Sequence, residues 1–165
     1  MRIKLLTLLL LCIILTSCST GAALCPLDDY SARYNESAEA FGFKKISPSP
    51  SDSGVCGFAA FDGLFIVCLC TTEEGDIYSA DISTGSEYSK LIASDEKELE
   101  KALLSAAYLI SPLYLEESSE EDISKIAGMI YAALMEAKTV TLKKGMTLSG
   151  RMTSNGGFEL EVDLI

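Results

Sequence analysis

The sequence predicts an α+β fold: an antiparallel curved sheet of about five or six strands with three helices, in the order α-βββ-αα-ββ(β). Three observations predict it. Apolar residues recur at three- and four-residue steps in three separate segments, which is the helical period. Between the first two segments lie "VCGFAA", "LFIVCLC" and "DIYSADIS", short segments that read as strands. The chain then closes on "FELEVDLI", a two-residue alternation.

In chain order, the first segment carries two positive charges in Met1-Arg2-Ile3-Lys4 and then runs apolar from Leu5 to Leu15. About 11 apolar residues suit a secretory signal and fall short of the roughly 20 that span a bilayer as a helix. Leu15-Thr16-Ser17-Cys18 follows. This stretch resembles the lipobox of bacterial lipoproteins, in which a Leu and two small residues precede the cysteine that becomes the new N-terminus. The resemblance covers residues 1–18 alone. It implies cleavage between Ser17 and Cys18, a thioether-linked diacylglycerol on Cys18, and usually a third acyl chain on the new amine. Two or more chains hold a protein to a membrane where one binds only reversibly. Ser19 stands where the family's inner-membrane retention signal would be an Asp. The implied location is therefore a cell membrane, facing outside the cytoplasm, and the outer membrane in a host that has one.

The organisation expected is a signal peptide over 1–17, a short tether over 18–26, and a single α+β domain over 27–165. From Cys18 to Leu27 the tether reaches at most about 30 Å. A partner must then be small or sit close to the membrane that the lipid engages, and a membrane-proximal protein is the partner expected.

The first helix is expected over Asp28–Phe41, with Leu27, Tyr30, Tyr34, Ala38 and Phe41 on one stripe, Asp28 as N-cap and Gly42 as the stop. "KISPSPSDSG" is a loop. The three strands come next, with Gly75 of "TTEEGD" at a left-handed turn position. A second helix runs over "SDEKELEKALLSAAYLI" to Pro112, and a third over "SSEEDISKIAGMIYAALMEAK", opened by a capping box from Ser118 to Glu121. In the last hairpin a three-residue Ser154-Asn155-Gly156 loop sets Met152 opposite Phe158, Leu148 opposite Val162 and Arg151 opposite Glu159. A two-residue loop would mix the wet and dry faces.

The same reasoning leaves the Phe61-Asp62-Gly63 turn undecided, because both faces of its strands are apolar. A two-residue turn puts Cys56 and Cys68 on opposite faces; a three-residue loop puts them directly opposite each other. Cys25, Cys56, Cys68 and Cys70 survive cleavage, an even number in an exported chain, and Cys56–Cys68 is the best-placed disulfide. The reading preferred over any disulfide is that Cys56, Cys68 and Cys70 are small buried hydrophobes in an apolar strand pair. With apolar residues on both sides, this hairpin also needs a cover on its second face: the Lys44–Gly54 loop, a dimer partner or a bound protein.

Composition limits function. Cleavage would remove Arg2 and Lys4, leaving 148 residues with 11 basic and 24 acidic side chains, a net charge of −13. Such a surface repels nucleic acid and anionic headgroups. The absence of His removes the commonest general base, the Ser-His and Cys-His pairs, and His-containing zinc sites. Glu116, Glu117, Glu120, Glu121 and Asp122 lack the spacing that wraps calcium. Neither a metal nor another cofactor is expected. The reading is a non-catalytic binding or accessory lipoprotein. Its alternatives are a carrier of a small apolar ligand, which requires an internal cavity, and a carboxylate-based hydrolase, which requires two acidic groups converging in a cleft.

Overall fold

The computed structural model describes residues 23–49, 51, 53–143 and 145–164, and places Leu24–Pro26, expected in the tether, inside the fold. Leu24 donates its N–H to the Ile77 carbonyl at 2.7 Å, and Cys25–Pro26 form a two-residue strand, β1, against the start of β4 (Asp76–Thr84). Helix α1 follows at once over Leu27–Phe41. Its N-cap is Pro26 rather than Asp28: the Leu27 N–H donates to Gly75 O at 3.0 Å, so one orphan donor of the first turn has a backbone partner. Asp28 and Asp29 lie instead in that first turn, favourable against the helix dipole. Gly42 ends the helix in the left-handed conformation at φ 77°, as expected.

The fold is α+β, with four helices and a seven-stranded antiparallel open sheet among the described residues. Strands β2 (Val55–Ala60), β3 (Phe65–Thr71) and β4 form a meander. Helix α2 (Ser86–Ser94), a helix beyond the three expected, precedes α3 (Glu96–Ile110), capped by the Asp95 carboxylate on the Lys97 N–H. A short turn of 3₁₀ helix holds Pro112, and α4 runs over Glu120–Met135. Its capping box joins Ser119 to Asp122, one residue later than expected. Strands β5 (Val140–Lys143), β6 (Met146–Met152) and β7 (Phe158–Leu164) complete the order β2-β3-β4-β7-β6-β5.

The β6–β7 register is the one the alternation required: Met152 faces Phe158, Arg151 faces Glu159 and Leu148 faces Val162, with Gly156 at φ 91°. In the β2–β3 hairpin the connection spans four residues, Phe61 to Leu64, with Phe61 and Asp62 both at positive φ. Ala60 pairs with Phe65, so Cys56 faces Leu69 and Cys68 faces Gly57. The Cys56–Cys68 disulfide is therefore not formed, because the register sends the two side chains to opposite faces of the sheet.

All four helices lie on one side of the sheet. Phe65, Val67, Leu69, Ile82, Leu148, Phe158, Leu160 and Val162 are buried toward them, against Leu109, Ile110, Ile126 and Ile130. Gly150 lets α4 approach: a Cβ there would stand 3.0 Å from Leu134 Cδ2 and 2.9 Å from Leu160 Cδ2.

Candidate functional site: the uncovered sheet face

Alternation along each strand sends every second residue away from the helices. On β3 these are Ile66, Cys68 and Cys70, and on the edge strand β2 they are Val55, Gly57 and Ala59. Between Cys70 and Thr71 the β3–β4 register slips by one residue, leaving Tyr78 as the extra residue of a bulge. The bulge turns the Tyr78 hydroxyl toward Cys70 on the outer face. Ile66, Val55 and Tyr78 stay 45, 38 and 48% exposed, so among the described residues nothing covers this half of the sheet. The described part of the 44–54 loop does not do so. Ile46 is clamped to α1 by the Asn35 side chain, which donates to its carbonyl and accepts from its N–H at 2.8 and 2.7 Å.

The other half of the same face is acidic. β7 projects Glu159, Glu161 and Asp163, and β4 projects Asp81 directly opposite Glu161. Arg151 of β6 stands opposite Glu159 and donates from Nε to its carboxylate at 2.6 Å. Partial desolvation and then the charges of Asp163 and Glu159 push the Asp81 carboxyl above its ordinary value. The charge of Asp163 does the same to Glu161. Asp81, Ser149, Arg151, Glu159 and Glu161 line a shallow groove of about 260 Å³ between β4 and β6.

Chemically this face can hold cationic groups over its acidic half and apolar ones over its thiol and aliphatic half. Asp81 and Glu161 are adjacent carboxylates with raised proton affinity, the minimum for acid–base chemistry. Both are exposed, and the groove's guanidinium already serves Glu159. No group of three or more His, Cys, Asp or Glu side chains among the described residues is arranged to hold a metal ion.

Of the residues singled out from sequence, Leu15, Thr16, Ser17 and Cys18 lie outside the described residues. Cys56 is fully buried on the helix side, and Cys68 is half-buried on the open face. Cys25 is buried with its thiol toward the Pro112 carbonyl at 3.6 Å, and burial pushes its pKa to about 11. The acidic patch has no local signature in the sequence. The wet face of β7 was visible in its alternation, but its apposition to Asp81 depends on β4 and β7 being neighbours, which no local pattern declares.

A second surface feature bears on the carrier alternative. Phe43 packs 4.9 Å from Phe61 and 5.2 Å from Tyr108, and Phe41 lies 5.0 Å from Tyr108. With Leu104, Lys97 and Lys101 they form a groove of about 460 Å³ that opens to solvent. It is a surface trough rather than the enclosed cavity between sheet and helices that such a carrier requires.

No helix among the described residues is long and apolar enough to cross a membrane. Comparison of the chain with protein-family models, curated proteins and solved structures finds no match.

Proposed function

We propose that the chain is a lipid-anchored binding module, held outside the cytoplasm by Cys18 and presenting its open sheet face to a protein close to the membrane. The observation that carries the reading is that, among the described residues, nothing covers one face of the sheet, and that face bears Val55, Ile66 and Tyr78 in contact with solvent. A face of that kind is what a soluble chain buries or reserves for a partner. The lipobox resemblance supports the anchor, and the early start of the fold shortens the tether. Leu24 is six residues after Cys18, a reach of about 20 Å.

The Asp81–Glu161 pair is what favours a second reading, a carboxylate-based hydrolase. Its exposure and the shallowness of its groove support binding over catalysis.

Intact mass of the detergent-extracted protein tests the anchor. The expected result is a chain beginning at Cys18 with added acyl mass, and a Cys18→Ala variant that leaves the membrane fraction. An unacylated, soluble native protein would end the lipid-anchored reading.

A further inference from the structure

The open face is divided along the strands. Val55, Ile66, Cys68 and Cys70 occupy its β2–β3 side, joined by Tyr78 at the bulge of β4, and Asp81, Glu159, Glu161 and Asp163 its β4–β7 side. Among the described residues Arg151 is the cation on this face, and it is bound to Glu159. Asp81, Glu161 and Asp163 therefore stand close together with no cation bound to them among the described residues, an arrangement that destabilises the free domain. β3, β4 and β7 are hydrogen-bonded to neighbours on both sides and, with β2 counted among them, only β2 is an edge, so an occupant lying across the face meets mainly side chains.

We infer that this face receives a cationic amphipathic segment of a partner protein, its apolar side over β2–β3 and its basic side over β4–β7. The inference rests on the reading of the chain as a binding module and names the chemistry of what it binds. Charge complementarity selects this occupant. A second copy of the chain would bring these carboxylates either against their own counterparts or against the apolar half, where nothing pairs them. An anionic headgroup is repelled by the same four side chains. A small inorganic cation would leave Val55, Ile66 and Tyr78 in water. A basic amphipathic segment satisfies both halves at once and relieves the repulsion across β4 and β7.

The test places a photoreactive amino acid at Ile66 in the full lipidated chain in the cells that make it. The crosslinked peptide is then mapped by mass spectrometry. The expected adduct is a segment of another protein with net positive charge and an apolar side. Its yield should fall about tenfold in a Glu161→Gln/Asp163→Asn double variant. Yield should hold in a Glu116→Gln/Glu117→Gln control, whose residues precede α4 away from the sheet face. Thermal melting separates lost binding from lost folding, because removing like charges should leave the double variant at least as stable as the parent.

An acidic or uncharged partner segment, or a yield indifferent to the double variant, overturns the inference and leaves the binding-module reading standing. A crosslink to a second copy of this chain overturns it in favour of a homodimer. No protein adduct at Ile66 ends both.

Discussion

Asp81 and Glu161 face each other across β4 and β7 with the carboxylates of Glu159 and Asp163 on either side. Directly opposed like charges cost roughly 0.2–1 kcal/mol, so Asp81→Asn should raise the melting temperature by about 1–4 °C at neutral pH. The sign of the pH dependence follows from the raised pKa. Folded Asp81 holds its proton more tightly than the unfolded chain does, with its reference value of 3.8. Its destabilising effect is complete above the folded pKa and disappears as pH falls through it toward that reference. Melting curves of parent and variant should accordingly converge in acid, and a difference that grew there would contradict the repulsion. A glycine pair makes a second residue-scale prediction. A Cβ at Gly157 would lie 2.0 Å from Thr84 Oγ1, the atom that accepts the Phe158 N–H at 2.9 Å. Gly157→Ala should cost about 2–4 kcal/mol through overpacking and loss of that bond. Gly128 on α4 has open space beyond it, and Gly128→Ala should gain about 0.5–1 kcal/mol. Urea denaturation of both variants checks the contrast.

Among the elements, the β2–β3 hairpin governs thiol chemistry. Its four-residue connection holds Phe61 in a left-handed conformation by packing the ring 4.9 Å from Phe43 and edge-on to Phe65 at 6.4 Å. The resulting register turns Cys68 and Cys70 outward and Cys56 inward. Alkylation of unreduced, unfolded protein should therefore label all of Cys25, Cys56, Cys68 and Cys70. Under native conditions Cys68 and Cys70 should react well before Cys25 and Cys56, because burial closes the latter two to the reagent, while desolvation raises the Cys25, Cys56 and Cys70 thiols alike. Labelling of only two would mean a bridge and a different register. Helix starts show the limit of local pattern. Ser118 and Ser119 both precede acidic residues, and Ser119 is chosen because Asp122 reaches back to its N–H at 3.1 Å.

For the molecule as a whole, the entry of the chain beside the Thr72–Gly75 turn sets an orientation. Leu27 bonds to Gly75, whereas the Ser154–Gly156 loop lies beyond the Thr84 end of β4, about 25 Å away along that strand. With Cys18 acylated, the Thr72–Gly75 end should face the bilayer and the open sheet face should look sideways from it. A fluorescent amino acid at Glu74 should be quenched by headgroup-borne quencher in reconstituted vesicles, and one at Asn155 should not. Quenching at Asn155 alone would invert the molecule.

The sequence by itself determined the elements whose signals are local and redundant. The Gly42 stop and the Gly75 turn were legible because glycine alone takes their left-handed φ of 77° and 87° freely, and the α+β class and the register of β6 with β7 because these elements have one apolar and one polar face. A one-residue slip in β7 would bury Glu159, Glu161 and Asp163, and no such slip survives that cost. Only the tertiary structure decided the rest. Both faces of β2 and β3 are apolar, so burial alone does not choose between their registers. The seating of Phe61 among Phe43, Tyr34 and Phe65, a contact made across the fold, accompanies the observed one. Helix α2 has one short turn of apolar signal, Tyr88 and Ile92, and forms against partners supplied by distant segments. The acidic half of the open face exists because β7, arriving from the end of the chain, pairs with β4; strand adjacency over that distance is a property of packing, which no short window of residues contains.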